Sequence, residues 1–296
     1  MTEIIKIDSI SAYNKLRGAK TYHPLISVIE AASVNQMPPG TYQFGIYSIF
    51  LKELNCGELK YGRGTYDYQE GTLVFLAPGQ IIGVPENATK SKGWVLLFHP
   101  DLIKGTSLGR EIEHYHFFNY EVNEALHTSE NERTLIVDQL MKIQMEIAST
   151  IDHHSKKIII SSLDLLLQYC TRFYDRQFIT RDHINKGVVE KFEQLLNDYF
   201  KSEMPQNTGF PTVKYFADQT NLSPNYFGDL IKKETGSSPM EHIQAKVISI
   251  AKERIFDLDK SISMVGYELG FKYPQHFTRL FKEKTGLTPT QYRGLN

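Results

Sequence analysis

The chain has 296 residues, 41% of them hydrophobic, with 33 Lys+Arg against 34 Asp+Glu and a net charge of −1. That length suits two domains with buried cores, and the balanced charge places any electrostatic role in local segments. No apolar run approaches the ~18 residues of a membrane helix, and the two cysteines, Cys56 and Cys170, are too few for a disulfide framework.

The first residues do not read as a signal peptide, because Lys6 and Asp8 interrupt Ile4, Ile5 and Ile7. A reduced cytoplasm is the expected compartment. Up to about residue 120 the apolar segments are short: 25–29, 44–51, 72–76, 81–84 and 94–98. They are rich in β-branched and aromatic residues and are broken by Pro39-Gly40, Asn55-Cys56-Gly57, Glu70-Gly71 and Pro78-Gly79. This spacing predicts an antiparallel barrel or sandwich. Tyr47, Phe50, Tyr66 and Trp94 are candidates to line a ligand pocket, with plain core packing as the alternative.

Histidines are the candidate metal ligands of the chain. His114-Tyr115-His116 has the spacing for two ligands on one strand face, but it follows the predicted strands, and no further His or acid pattern completes it. His153 and His154 are adjacent and fall on different helix faces. His99 precedes Pro100 and reads as structural. No metal and no cofactor is expected.

Two helices are predicted next. Residues 132–150 carry Ile136, Leu140, Ile143 and Ile147, and residues 155–178 carry Ile159, Leu163, Leu166, Cys170 and Phe173, spaced in alternating fours and threes. Such stripes suit pairing with another helix. Ile159, Leu163, Leu166 and Phe173 are therefore candidate contacts with a second copy of the chain, and packing on the chain's own strands is the alternative. A linker at 180–186, a helix at 188–200 and a polar loop at 205–211 follow.

The most specific signal is a duplication. Tyr226-Phe227-Gly228-Asp229-Leu230-Ile231-Lys232-Lys233-Glu234-Thr235-Gly236-Ser237-Ser238-Pro239 recurs 50 residues later, as His276-Phe277-Thr278-Arg279-Leu280-Phe281-Lys282-Glu283-Lys284-Thr285-Gly286-Leu287-Thr288-Pro289. Phe227, Leu230, Ile231 and Phe277, Leu280, Phe281 each form one apolar helix face. Gly236 and Gly286 stand where a helix ends in a left-handed residue. Ser238-Pro239 and Thr288-Pro289 then cap and start the next helix. A shorter helix precedes each copy, capped by Thr212 in the first and by Ser261 or Ser263 in the second, with turns at Asn221 and Gly270. Ala217 and Gly266 sit four residues before those turns, where two helices must approach closely. The pattern predicts two helix-turn-helix units. Their polar faces present Asn225, Gly228, Asp229 and Lys232 in the first, and Gln275, Thr278, Arg279 and Lys282 in the second. Such side chains match base edges: Arg to guanine, Asn or Gln to adenine, Asp to cytosine.

From about Val213 to Tyr292 the chain resembles the DNA-binding domain of the AraC/XylS family of bacterial transcription regulators. The resemblance rests on Ala217, Leu222-Ser223-Pro224 and Lys233-Glu234-Thr235-Gly236. It rests further on Gly270-Phe271, Phe277-Thr278-Arg279-Leu280-Phe281-Lys282, Thr285-Gly286-Leu287-Thr288-Pro289 and Tyr292-Arg293. The chain departs from the family at Gly266, where Ala is usual, at Asn221, where Gly is usual, and at Asp229, where Arg is frequent. The resemblance implies two units joined by a long helix, about 240–257, reading adjacent major grooves. Ser223 and Lys272 would position phosphates. It also implies a cupin-like barrel that binds an effector, carried by Gly71-Thr72-Leu73-Val74-Phe75-Leu76-Ala77-Pro78-Gly79-Gln80 and by the run from Gly93 to Ile103. Arg172-Phe173-Tyr174-Asp175-Arg176-Gln177-Phe178 looks like the run that leads into the family's linker helix.

The expected fold class is thus α+β. An antiparallel cupin-like barrel occupies 1–125, a helical dimerisation and linker region 126–186, and an all-α double helix-turn-helix domain 187–296. Expected partners are double-stranded DNA, a second copy of the chain, a small-molecule effector and RNA polymerase, with no membrane. The chain is not expected to be an enzyme. The alternative is a cupin-type enzyme, with or without metal, fused to a DNA-binding domain. Charge is uneven in the last domain: from residue 260 onward six Lys and Arg face two acids, whereas 212–236 holds three of each. The second unit is expected to supply most of the phosphate grip.

Overall fold

The chain opens with a strand, β1 (Ile4–Ile7), and a helix, α1 (Ile10–Arg17), neither of which its periodicity predicts. The hydroxyl of Ser9 accepts from the Ala12 amide at the start of α1, and Gly18 ends it in the left-handed region at φ 66°. The computed structural model describes residues 4–53, 59–61, 64–66, 71–88, 92–121, 124–150, 152–180 and 182–294. Two compact units divide the chain, 1–180 and 181–296.

The first unit continues through β2 (Ile26–Glu30), β3 (Gly40–Phe44), β4 (Tyr47–Glu53), β5 (Leu59–Tyr61), β6 (Gly64–Tyr66), β7 (Thr72–Leu76), β8 (Ile81–Val84) and β9 (Lys92–Phe98). The segment predicted at 44–51 is therefore two strands, broken at Gly45 and Ile46. Short helices α2 (Pro100–Ile103) and α3 (Ser107–Glu111) lead to β10 (Leu126–His127). The strands form two five-stranded sheets, ordered β1-β3-β8-β5-β6 and β10-β7-β4-β9-β2. This corrects the expectation of one closed antiparallel barrel. Among the described residues the sheets stay separate, and β1 joins β3 in parallel.

One core lies between the sheets. Ile7, Tyr42, Phe44 and Ile82 come from the first sheet, Ile29, Val74, Leu76, Val95 and Leu97 from the second, and Ile10 and Tyr13 from α1. The alternation of side chains along a strand sends the other residues of the second sheet to its outer face. Two helices cover that face, α4 (Glu130–Ala148) and α5 (Ser155–Thr180). A capping box of Ser129 and Glu132 starts α4. Its Gln144 side chain donates to the Val28 carbonyl at 3.3 Å, which ties α4 to β2. α5 is tied to β10: the Gln177 side chain accepts from the His127 amide at 2.8 Å and donates to the Ala125 carbonyl at 3.2 Å.

This packing corrects the dimer contacts expected from the sequence. Ile159, Leu163, Leu166 and Phe173 are at most 5% exposed within the single chain. An apolar stripe needs a cover, and here α4 and the second sheet provide it. The apolar residues of α5 that face outward are Ile158, Leu165 and Ile179.

The second unit is all helical: α6 (Asp182–Lys201), α7 (Met204–Thr208), α8 (Val213–Thr220), α9 (Pro224–Thr235), α10 (Pro239–Arg254), α11 (Ile262–Glu268), α12 (Pro274–Thr285) and α13 (Pro289–Arg293). The predicted linker at 180–186 is largely the start of α6, and the predicted loop at 205–211 contains most of α7. Phe192 of α6 packs edge-on against Phe216 and Phe227, at 5.2 and 5.3 Å between ring centroids. Phe271, Phe277 and Phe281 pack through the second half at tilted and edge-on angles, 5.5 and 5.9 Å apart in succession. Among the described residues no helix is long and apolar enough to cross a membrane.

Candidate nucleic-acid interface

Two helix pairs, α8 with α9 and α11 with α12, are built by the same local bonds. Thr212 caps α8 by accepting from the Tyr215 amide, and Ser261 caps α11 by accepting from the Met264 amide. The turns hold Asn221 at φ 57° and Gly270 at φ 90°. Leu222 then donates its amide to the Ala217 carbonyl, and Phe271 donates its amide to the Gly266 carbonyl, both at 3.0 Å. Pro224 and Pro274 begin the second helices. Those helices end at Gly236 and Gly286, at φ 79° and 81°. Just before them, Thr235 donates to the Ile231 carbonyl and Thr285 to the Phe281 carbonyl. The pairs differ at the cap of the second helix. Ser223 caps α9 through its hydroxyl, while Tyr273 gives α12 no side-chain cap.

The inward faces fix the outward ones. Phe277 and Phe281 are fully buried, so Gln275, Arg279 and Lys282 stand exposed on the far side of α12, with Thr278 half-buried between them. Lys272 is exposed just before the helix, its ammonium 5.6 Å from the ring centre of Tyr273. On α9, Phe227, Leu230 and Ile231 are buried, Asn225 and Lys232 are exposed, and Gly228 and Asp229 are half-buried. Ser223 departs from the expected phosphate contact. It is 3% exposed, and its hydroxyl accepts from the Tyr226 amide, so it positions α9 from within.

Ion pairs sort the cations of the second half. Lys260 sits 2.8 Å from Glu268, which Arg254 also reaches at 3.4 Å. Arg293 donates to the carbonyls of Ile255, Asp257 and Lys260 and so fastens α13 to the loop after α10. Among the described residues, Arg279 and Lys282 have no carboxylate within ion-pair reach. Glu241, in the capping box of α10, is held below the usual carboxylate range. The Ser238 amide and hydroxyl are the main causes, and Lys284 and Lys232 add to them. The 16 residues of α10 span about 24 Å between the two pairs.

The candidate pocket residues do not converge. Tyr47 and Trp94 lie on the helix-covered face of the second sheet, where Tyr47 stacks on Phe98 with 4.8 Å between centroids. Phe50 has the opposite parity and packs against the core between the sheets. Of Tyr66 only the strand is described, not the side chain. His114 and His116 fall in successive 3-10 turns, not on a strand. Among the described residues no three His, Cys, Asp or Glu side chains gather as a metal site would require. A feature missed in the sequence is a groove of about 970 Å³ lined by Phe210, Met264, Tyr267, Phe271 and Lys272. It exists because α7 turns the chain there, and Pro205 and Gly209 read simply as loop residues.

The family described as "Helix-turn-helix domain" matches residues 216–294. The chain is 33% identical over 82 residues to the uncharacterized HTH-type transcriptional regulator YobQ of Bacillus subtilis, covering 28% of this chain and 34% of that protein. It is 28% identical over 108 residues to the HTH-type regulator YtdP of the same species, covering 36% of this chain and 13% of that protein. With the MmsAB operon regulatory protein of Pseudomonas aeruginosa it shares 34% over 73 residues, 25% of this chain and 24% of that one. The chain thus spans about a third or less of these bacterial relatives' lengths. Among solved structures it is similar to the C-terminal domain of AraT, a response regulator from Geobacillus stearothermophilus. That match has a TM-score of 0.33 and 24% identity, over 37% of this chain and 85% of that one. It is also similar to the C-terminal domain of the response regulator yesN from Fusobacterium nucleatum, with a TM-score of 0.32 and 20% identity, over 36% of this chain and 98% of that one. Residues 216–294 of this chain are an AraC-type helix-turn-helix domain.

Proposed function

We propose that the protein is a sequence-specific DNA-binding transcription regulator that acts as a homodimer and answers to a small-molecule effector. The observation that carries this reading is the outward face of α12. Arg279 and Lys282 stand exposed there with no carboxylate in reach among the described residues, and an equivalent polar face recurs on α9. An unpaired guanidinium on a rigid helix is pre-organised for the bidentate edge of guanine. Gln275 suits adenine, and Lys272 and Lys282 suit phosphate. Asn225 suits adenine on the neighbouring groove, with Asp229 accepting from cytosine and Lys232 gripping the backbone. The length of α10 supports placing the two reading helices in successive major grooves, about 34 Å apart, since each helix adds its own width.

Several curated relatives are described as transcriptional regulators, which supports the same reading. The N-terminal unit would bias the equilibrium between binding and non-binding arrangements of the dimer. With the Leu163 stripe enclosed, self-association would use the outward apolar residues Ile158 and Leu165.

Gel-shift titrations test the reading on sites selected from a random pool and on scrambled DNA. Arg279→Ala should cost about 1–3 kcal/mol on the selected site and far less on scrambled DNA. Lys282→Ala should weaken both alike. Equal losses for both variants on both DNAs would overturn the assignment.

A further inference from the structure

Gly228 is the fifth residue of α9, in the middle of a helix whose neighbours on the same face are Asn225, Asp229 and Lys232. Glycine there weakens the helix relative to alanine, so its presence calls for a reason. Internal packing supplies none: a Cβ built on Gly228 meets nothing within 4 Å, and the residue is not among those with positive φ. Gly266, by contrast, faces the Phe277 ring at 3.3 Å, and Gly270 faces backbone. The missing side chain at Gly228 therefore opens outward, on the face proposed to read DNA. The equivalent position of α12 carries Thr278.

The chemistry of this notch is restricted. The Gly228 amide lies beyond the first turn and belongs to the helical ladder. The notch thus offers neither donor nor acceptor, only the α-carbon and the helix wall. A phosphate would gain nothing there. Of the groups that base pairs display in the major groove, the apolar one that protrudes is the C5 methyl of thymine. Building on the DNA-reading role proposed above, we infer that Gly228 is a specificity-determining residue whose notch receives a thymine methyl, flanked by the Asn225 amide. α9 then approaches its base pairs more closely than α12 does.

The test uses the full chain and a site selected from a random DNA pool. Each thymine of the half-site is replaced in turn by deoxyuridine, which removes only the methyl. Wild type should lose affinity several-fold at one position, and Gly228→Ala should show no thymine preference there. Gly228→Ala should also bind the selected site about tenfold more weakly while melting at a higher temperature. If Gly228→Ala binds as wild type does, or if no deoxyuridine substitution matters to wild type, the inference is overturned while the DNA-reading role stands. A Gly228→Ala protein that melts lower also overturns it, because the space around Gly228 would then not be open. A wild type that selects no sequence overturns both, before any variant is made.

Discussion

A Cβ added to Gly270 would sit 2.6 Å from the carbonyl carbon of Gly209, so the two glycine backbones lie in direct contact. Both residues have positive φ, 90° and 93°. The contact holds the loop after α7 against the turn of the second helix pair, and the rings of Phe210 and Phe271 close over it at 4.9 Å. Gly270→Ala must therefore strain the backbone and push the loop away at once. A loss of about 1–3 kcal/mol is expected in urea unfolding of the second unit. Gly228→Ala, in an ordinary helical conformation with open space, should move stability the other way. A neutral Gly270→Ala would mean that the loop does not hold the turn.

The distribution of charge bears on how tightly the proposed DNA site would be held. The second unit from residue 187 has 14 Lys and Arg against 13 acids, and several of those cations, including Lys260 and Arg293, are committed to internal partners. Few phosphates can be neutralised, each contributing about 0.9 to the salt slope on duplex DNA. The slope should be shallow and should come mainly from Lys272, Arg279, Lys282 and Lys284. Replacing those by Gln should remove most of it, and replacing Lys232 and Lys233 should remove less. Binding measured across salt concentrations decides this. A slope unmoved by the first set refutes the asymmetry.

Acid should loosen the first unit through Glu132. Burial pushes this carboxyl up, but bonds from Arg176, at 2.7 and 3.0 Å, and from Ser129 outweigh burial and hold it below its usual range. A carboxyl depressed in the folded state contributes stability that is present above its unfolded value of about 4.3 and is lost as pH falls through the folded value. Glu132→Gln should therefore be less stable than wild type at neutral pH, and the gap should close below about pH 4. A gap that stays constant across the acid range would assign the effect to packing.

How much of this was legible in the sequence follows from what periodicity can see. The duplicated caps and turns of the second unit are local signals, so Thr212, Asn221, Gly236 and Gly286 could be placed from the sequence alone. α1 was invisible because its inward face is Ile10, Tyr13, Asn14 and Arg17. Half of that helical stripe is polar, and it is buried only because its hydrogen-bonding groups are satisfied, mostly from outside the helix. Ser27 and Thr21 bond Asn14, and the Asn35 carbonyl and the Tyr13 hydroxyl bond Arg17. Tyr47 and Phe50 stand three residues apart on a strand and so fall on opposite faces, which keeps them from lining one pocket. The buried Ser223 hydroxyl belongs to the same class, since a cap and a phosphate ligand look alike in sequence. The stripe on α5 announced a covered face but carried no information on what covers it.

That last ambiguity yields a test that separates fold from assembly. Leu163 and Leu166 are fully enclosed between α4 and the second sheet. Leu163→Ala should cost about 2–5 kcal/mol through the lost contacts and the cavity left behind. Leu163→Glu should unfold the first unit, since an unpaired carboxylate would be buried. Ile158 and Leu165 lie two turns apart on the same helix, 46% and 42% exposed, and their replacement by Glu should leave each chain folded by circular dichroism. If the proposed dimer uses that outward face, Ile158→Glu with Leu165→Glu gives a folded monomer by light scattering. It also weakens binding to paired sites, because two half-sites held by one dimer gain from effective concentration. A folded, dimeric double variant would place self-association elsewhere. A folded Leu163→Glu protein that becomes monomeric would instead return the interface to the stripe.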